Sequence, residues 1–521
     1  MPLTTTPHQA VPSIEAAHRA FASGDVATAE RLCAQVLASQ PDNGKAWVLL
    51  TETALQRGRT DAAIVCADRA VALAPNDPIA HILRAKCLLL TGDAVQALEA
   101  AETASRISGD APEALDALGA IFGLLGLHQQ AADLFRGAVA ARPHVPQYLF
   151  NLAATERMTG LLQDAEAHCD AAIAQDRCYA RAYYLRADLR TQTPERNHIE
   201  EMEGLIHGDN LPSPDEVMLR FALAKEYEDL DLKVRAFDHV EAACNLYRRS
   251  IIYDNAAEIA KIDSIIRTQP RAGLASCNSG YADAAPVFVF GLPRTGTTLV
   301  ERIIASHKAV TSAGETAAFA AAARRTPLAG SDSLDLKAIG KTYMEAITAF
   351  RVPADQHFVD KTLNTYLYCG LIHACLPQAR LILVRRHPLD TCWAIYKAHF
   401  QGQFSFSYNQ LELADYYLAF RRLAAHWKAA LPPDVLLEVN YEDIVKDQAI
   451  ESRRIIGFLG LPWDDEVLRF HESPAPSATA SAVQVRRPVY PSSVGKWRHH
   501  AMRLAPLRAR LATEIPEAEL A

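Results

Sequence analysis

A glycine recurs every 34 residues along the first third of the chain, at Gly24, Gly58, Gly92, Gly126 and Gly160. Each is followed five positions later by an alanine: Ala29, Ala63, Ala97, Ala131 and Ala165. A second track keeps the same period, with Pro41, Pro75 and Pro143 in phase and Gly109 and Arg177 in the remaining slots. Two tracks in register over five units restrict the fold more than any composition does. Within a unit such as GRTDAAIVCADRAVALAPND, the glycine permits a tight turn between two helices and the alanine permits their close approach. The proline ends the second helix. Such hairpins cannot bury their apolar faces alone, so they are expected to stack into a solenoid with a concave groove.

The pattern resembles tetratricopeptide repeats over roughly residues 13 to 190, and the resemblance implies a peptide or protein in the groove. The aromatic residues of this region, such as Tyr148, Phe150, Tyr183 and Tyr184, stand at helical spacing and read as core. From 195 to 284 the glycine phase is lost while helical patterning persists in DEVMLRFALAKEYEDLDLKVRAFDHVEAACNLYRR. That stretch reads as a degenerate repeat plus a connecting helix capping the solenoid. The small, polar run from Arg271 to Pro286 then marks a boundary. The expected organisation is repeats over 1–194, a helical linker over 195–284 and a second folded domain over 285–521.

A net charge of -8 argues against a nucleic-acid binder, which needs a basic footprint. No run approaches the ~18 apolar residues of a membrane span, and the first residues lack a basic start followed by an apolar core. A cytoplasmic location is expected, with no membrane partner. The ten cysteines are scattered singly, outside any metal-ligand spacing, and read as reduced, mostly buried thiols.

From Val287 the period changes. Short apolar runs at Val287–Phe290, Ala379–Val384 and Asp434–Tyr441 alternate with helical segments, as in a parallel α/β sheet. GLPRTGTT, residues 291–298, follows the first run directly and has the glycine spacing of a nucleotide-phosphate loop at a helix N-terminus. Thr297 stands where such a loop carries lysine. A kinase or NTPase needs that lysine, a hydroxyl on magnesium and an acidic residue ending a second strand. Here the run Ala379–Val384 ends in Arg385 and Arg386. Guanidinium groups pair directly with phosphate oxygens, so with Arg294 these residues suit a ligand with two separate anionic groups and no metal.

At these residues the chain resembles the sulfotransferases that use 3'-phosphoadenosine 5'-phosphosulfate, in particular their tyrosylprotein and bacterial repeat-linked branches. The expected fold is an all-α tetratricopeptide-repeat solenoid followed by an α/β, P-loop-like sulfotransferase domain with a parallel sheet. PRTGTTL looks like the 5'-phosphosulfate loop, which gives Arg294, Thr295, Gly296, Thr297 and Thr298 that role by resemblance. LILVRRHPLDTCWAIY is similar to the 3'-phosphate segment, with Arg386 in the arginine slot and Asp390 four residues on. The family often has a serine eight residues after that arginine, whereas this chain has Ala394; the alternatives are compensation by Thr391 or Arg385, or a lower cofactor affinity. NYEDIV resembles the turn near the adenine and nominates Tyr441. The tail Gln484–His500 resembles an element closing over the nucleotide, nominating Lys496, Trp497 and Arg498, with Arg486, Arg487 and Ser493 behind them.

The chemistry asks for a base on the acceptor hydroxyl and a cation on the bridging oxygen, since transfer of this kind is in-line and loose. Glu315, in the GE setting of TSAGETAAF, matches the tyrosylprotein branch's glutamate base; a carboxylate at the start of a helix is its plainer reading. Lys361 in FVDKTLNTYLY matches the lysine that meets the bridging oxygen. His307 ranks below Glu315 as base. The resemblance therefore implies sulfuryl transfer from that donor, without metal, to a hydroxyl, with peptide or protein tyrosine leading and a saccharide or small-molecule hydroxyl second. The expected partners are a peptide or protein in the repeat groove, the acceptor among them, and a second copy of the chain. Two rivals come from other classes: a nucleotide kinase, and a non-catalytic interaction protein, which Ala394 favours.

Overall fold

The computed structural model describes residues 13–521 apart from 209–210, 270–279, 283–284, 327, 330–332, 351–356, 474 and 480. Most of the boundary run from Arg271 to Pro286 lies outside the described residues. The chain divides between Ala141 and Arg142 into two compact units.

The first unit is built of helix pairs, from Ile14–Ala22 with Val26–Ser39 to Pro112–Leu124 with His128–Ala141. All five glycines of the 34-residue track have positive φ, between 69° at Gly58 and 90° at Gly160. That is the left-handed turn conformation which glycine adopts without steric cost. The five alanines that follow them are all 0% exposed, as close helix packing requires. Asp25 and Asp93, beside two of the turn glycines, cap the second helices by accepting the amides of Thr28 (3.0 Å) and Gln96 (3.1 Å).

The second unit opens with the same architecture, the pair Pro146–Thr159 and Leu162–Gln175 and then Ala180–Asp188. Helices Ser213–Asp229, Lys233–Ser250 and Asn255–Thr268 occupy the stretch expected as a linker. They do more than space the parts, because Phe221, Phe237 and Ile262 belong to one apolar cluster with Phe288, Phe290 and Trp393. Phe237 stacks on Trp393 at 5.3 Å and 5°.

The sheet has five strands, β1 (Val287–Phe290), β2 (Val310–Gly314), β3 (His357–Asp360), β4 (Arg380–Arg385) and β5 (Leu436–Asn440). Their order is β2-β3-β1-β4-β5 and every pairing is parallel. Alternate residues serve opposite faces: Phe288, Phe290 and Leu381 pack on one, Val287, Val289 and Ile382 on the other. Both faces are covered, which is why the central strands β1 and β4 read as continuous apolar runs. The order has a consequence for function. The chain leaves β1 in the middle and returns on either side, so the loops after β1, β3 and β4 meet at one edge, where such sheets bind ligands.

Candidate functional site

The loop after β1 is shaped by two glycines. A Cβ on Gly291 would lie 2.4 Å from the carbonyl oxygen of Val384 in β4, so only glycine lets the chain leave the sheet there. A Cβ on Gly296, where φ is 104°, would lie 2.7 Å from the Tyr441 ring. Arg294 also has a left-handed backbone, φ 66°, a conformation that costs a non-glycine residue energy and turns its side chain inward. Thr295 Oγ1 donates to the Leu292 carbonyl (2.8 Å), fixing the loop, and the helix Thr297–Ala305 starts directly after it. A helix N-terminus behind a glycine loop is a ready anion site. Thr297 and Thr298 are buried in its first turn.

Arg386, at the end of β4, reaches this loop. Its Nη1 donates to the Arg294 carbonyl (3.2 Å) and its Nη2 to the Ser493 carbonyl (2.5 Å). Its Nε is buried without an acceptor among the described residues, and its guanidinium lies 5.1 Å over the Tyr441 ring. Tyr441 and Ser493 share a hydroxyl hydrogen bond of 2.6 Å, and burial raises the tyrosine's pKa. Burial pulls Arg294 below its ordinary value; Asp188 opposes this and the nearby Arg386 charge adds to it. Each has an acidic neighbour, Asp390 at 4.0 Å from Arg386 Nη2 and Asp188 opposing the shift at Arg294, and both guanidinium-bearing residues line the cavity described below.

Glu315 follows β2 and Lys361 follows β3, two paired strands, so the sheet itself brings them together. The Lys361 ammonium, 1% exposed, donates to Glu315 Oε1. Next to it, Asp360 accepts from Thr316 Oγ1 (2.8 Å), Thr362 Oγ1 (2.6 Å) and the Tyr343 hydroxyl (3.2 Å). Burial raises the pKa of Asp360 against those bonds. These bonds tie the end of β3, just before Lys361, to Thr316 in the loop after β2.

These groups line one cavity of about 500 Å³. Arg294, Gly296, Thr297, Thr298, Arg386 and Tyr441 belong to its lining, and so do Glu315 and Lys361. Beyond them the lining continues through Trp393, Lys397, His399, Phe400 and Phe404. Lys397 donates to both oxygens of Glu228 (2.7 and 2.5 Å), with Lys496 Nζ 3.6 Å from the same carboxylate. Burial pushes Glu228 up, but the two lysines outweigh it and hold the carboxyl down at about 2. Burial brings His399 down to about 4, so it lines the wall as a neutral ring. Sequence reasoning passed over Lys397, Glu228 and the hydroxyls of Thr479 and Ser481; partners separated by more than 150 residues leave no local signal.

The remaining nominated residues divide between the cavity and other surroundings. Thr295 stays beneath the loop as described. Lys496 lines the cavity, but Trp497 and Arg498 do not. Trp497 is buried against His387, rings parallel at 5.8 Å, and its amide donates to Asp390 Oδ1 (3.1 Å). Arg498 is exposed and reaches the Ala521 carbonyl (2.6 Å). Ala394 lines the cavity, whereas neither expected replacement does. Thr391 Oγ1 donates to the Arg386 carbonyl (3.3 Å), and Arg385 pairs with Glu438 (3.3 Å). His307 also lies outside the lining. Its Nδ1 accepts from the Ala309 amide (3.1 Å), which leaves the proton on Nε2 to donate to the Pro462 carbonyl (2.9 Å). Ser493 and Arg487 line the cavity; Arg486 does not.

The second unit thus holds a parallel α/β sheet whose lysine-free phosphate loop, two arginines and carboxylate–ammonium pair line one cavity. Residues 286–465 match the sulfotransferase family, and residues 20–87 and 125–180 match tetratricopeptide repeats. The chain thus joins regions that match tetratricopeptide repeats to a later region that matches the sulfotransferase family. It is 26% identical over 398 residues to an uncharacterized protein of Aquifex aeolicus, covering 73% of this chain and 52% of that one. It is 24% identical over 252 residues to protein-tyrosine sulfotransferase A of Caenorhabditis elegans, covering 42% of this chain and 63% of that one. The chain thus spans between half and two thirds of the length of these relatives. Among solved structures, a thermophilic repeat protein of Thermus thermophilus aligns at 21% identity, covering 34% of this chain and 96% of that one, with a TM-score of 0.31. Among the described residues no helix is long and apolar enough to cross a membrane.

Proposed function

We propose that the chain is a sulfotransferase that moves a sulfuryl group from 3'-phosphoadenosine 5'-phosphosulfate to a hydroxyl, with tyrosine of a peptide or protein as the leading acceptor. The observation that carries this reading is the joining, in one cavity, of the Glu315–Lys361 pair to a phosphate loop without lysine. The residues suit such a donor. Arg294, Arg386 and the first-turn amides answer two separated anionic groups, and the Nε of Arg386, unpartnered among the described residues, has a donor to spare. When bound, the donor supplies the sulfuryl group and a bisphosphate leaving group.

In this reading Glu315 accepts the proton of the acceptor hydroxyl as its oxygen bonds to sulfur. Lys361 stabilises the negative charge that develops on the bridging oxygen as the old sulfur–oxygen bond breaks. Tyr441 flanks the base of the nucleotide, and Lys496 contributes charge at the cavity rim. The domain limits 1–194, 195–284 and 285–521, a cytoplasmic location, a peptide in the repeat groove and pairing with a second copy belong to the same proposal. A saccharide hydroxyl is the second acceptor class, since the donor-binding groups are indifferent to it.

Titration calorimetry with adenosine 3',5'-bisphosphate, with and without magnesium, tests the donor. Metal-independent binding is expected; absence of binding sinks the enzyme reading, and magnesium-dependent ATP binding replaces it with a kinase. Incubation with labelled donor and a cell lysate, followed by mass spectrometry, is expected to place the label on tyrosine. Label on glycans alone moves the acceptor to the second class.

A further inference from the structure

The second unit contains both the repeat pair 146–175 and the cavity, and residues of one strap, among them Ser477, Thr479, Ser481, Gln484 and Arg486, touch the end of the first repeat helix or the cavity loop. Toward the cavity this strap meets the phosphate loop. Ser481 Oγ accepts from Arg294 Nη1 (2.8 Å), Gln484 Oε1 from Arg294 Nη2 (3.2 Å), and Thr479 Oγ1 from Thr298 Oγ1 (3.3 Å). Ser481, Gln484, Val485, Tyr490 and Ser493 are part of the cavity wall.

Toward the repeats the strap is clamped at the end of helix Pro146–Thr159. The carbonyls of a helix's last turn have no partner within the helix. That of Met158 accepts the Ser477 amide (2.9 Å) and Arg486 Nη2 (2.9 Å). From the repeat side, Arg157 Nη1 donates to Asp188 Oδ2 (3.1 Å) and to the Thr479 carbonyl (3.4 Å). Gly160 is the turn glycine of this repeat, and a Cβ on it would stand 2.6 Å from the Arg486 guanidinium carbon. At Gly24 and Gly58, with the same turn conformation, an added Cβ meets nothing within 4 Å among the described residues. The fifth repeat glycine therefore serves both the hairpin turn and the seat of Arg486.

We infer that the repeat pair 146–175 is part of the donor site, with Arg157 and Arg486 as positioning residues that hold the strap against Arg294 and Thr298. This rests on the donor reading above and adds to it a role for the repeats other than recruiting a partner. A wall held in place before the ligand arrives spares the ligand the cost of ordering it. Losing either arginine leaves the cavity side chains in place but loosens the wall.

The test uses the full chain, with adenosine 3',5'-bisphosphate as the probe. Arg157→Ala and Arg486→Ala are expected to weaken binding by about fivefold to tenfold, the loss of one or two hydrogen bonds. Amide hydrogen exchange is expected to quicken over 475–487 and over the loop 291–298, with Arg157→Lys intermediate on both readouts. Wild-type affinity and exchange in both alanine variants overturn the inference. Failure of the wild-type chain to bind the probe removes the donor reading alone; the exchange comparison then decides, and an unchanged loop 291–298 overturns the coupling. If an arginine variant melts early, Gly160→Ala is compared with Gly58→Ala. Both carry the same backbone penalty but only the first displaces Arg486, so equal strap exchange in the two rejects the clamp.

Discussion

The Lys361 side chain is buried to 1% exposure, and the acid it is bonded to, Glu315, is 43% exposed and lines the cavity. The pair is asymmetric: one partner is fixed by the sheet and the other can turn toward an acceptor. In the proposed reaction the two separate, Lys361 toward the bridging oxygen and Glu315 toward the acceptor proton. Glu315→Gln keeps the shape and a hydrogen-bond acceptor while removing the base. It is expected to lower kcat by about 10² to 10⁴ with the affinity for adenosine 3',5'-bisphosphate unchanged. Lys361→Ala removes the charge that meets the transition state and is expected to cost about 10² to 10³ in kcat. Retained turnover in Glu315→Gln, measured by transfer of labelled sulfuryl, takes the base away from Glu315.

His307 offers the contrast. Both ring nitrogens are engaged by backbone groups, and the ring is buried outside the cavity lining. His307→Ala leaves the Ala309 amide and the Pro462 carbonyl without their partner, a loss of about 1–3 kcal/mol each if both stay dry. The variant is expected to unfold at lower urea while the chain that remains folded keeps its kcat. A large drop in kcat at unchanged stability reassigns the base to His307.

Ala394 lines the cavity where a hydroxyl would face the ligand, and neither Thr391 nor Arg385 points there. Ala394→Ser adds a donor without adding much volume. Affinity for adenosine 3',5'-bisphosphate is expected to rise about threefold to tenfold, the value of one net hydrogen bond to a charged group. No change in calorimetry means that the ligand's phosphate does not approach this wall.

The parts of the site that follow from local constraint were legible in the sequence. Gly291 and Gly296 are dictated by a close approach and a positive φ, and the spacing reports both. The repeat glycines are legible for the same reason. β2 and β3 were not, since VTSAG and HFVD are short, partly polar runs without the apolar signature of β1 or β4. Glu315 and Lys361 were reached through resemblance, whereas what places them together is the pairing of those two strands. Trp497 was expected to face a ligand and packs inward against His387, because an aromatic in an irregular tail has no periodicity to say which side it presents. The helices 213–268 looked like a linker because amphipathic spacing gives a buried face but not its partner.

The Glu228 carboxylate, bonded to Lys397 and near Lys496, provides the pH test. Burial alone would raise its pKa, yet the two ammonium charges bring it from an ordinary 4.5 down to about 2. Between those values the unfolded chain binds more protons than the folded one, so the stabilisation is fully present above pH 4.5 and is lost as pH falls toward 2. A shift of that size corresponds to at most about 3 kcal/mol, less where water reaches the pair. Glu228→Gln is therefore expected to lower the urea midpoint at pH 7, with the gap to wild type narrowing steadily below pH 4.5. The same variant leaves Lys397 and Lys496 facing each other without a counter-charge at the cavity rim, so adenosine 3',5'-bisphosphate is expected to bind at least as tightly as to wild type. A stability gap that stays constant across that pH range assigns the effect of Glu228 to packing rather than charge.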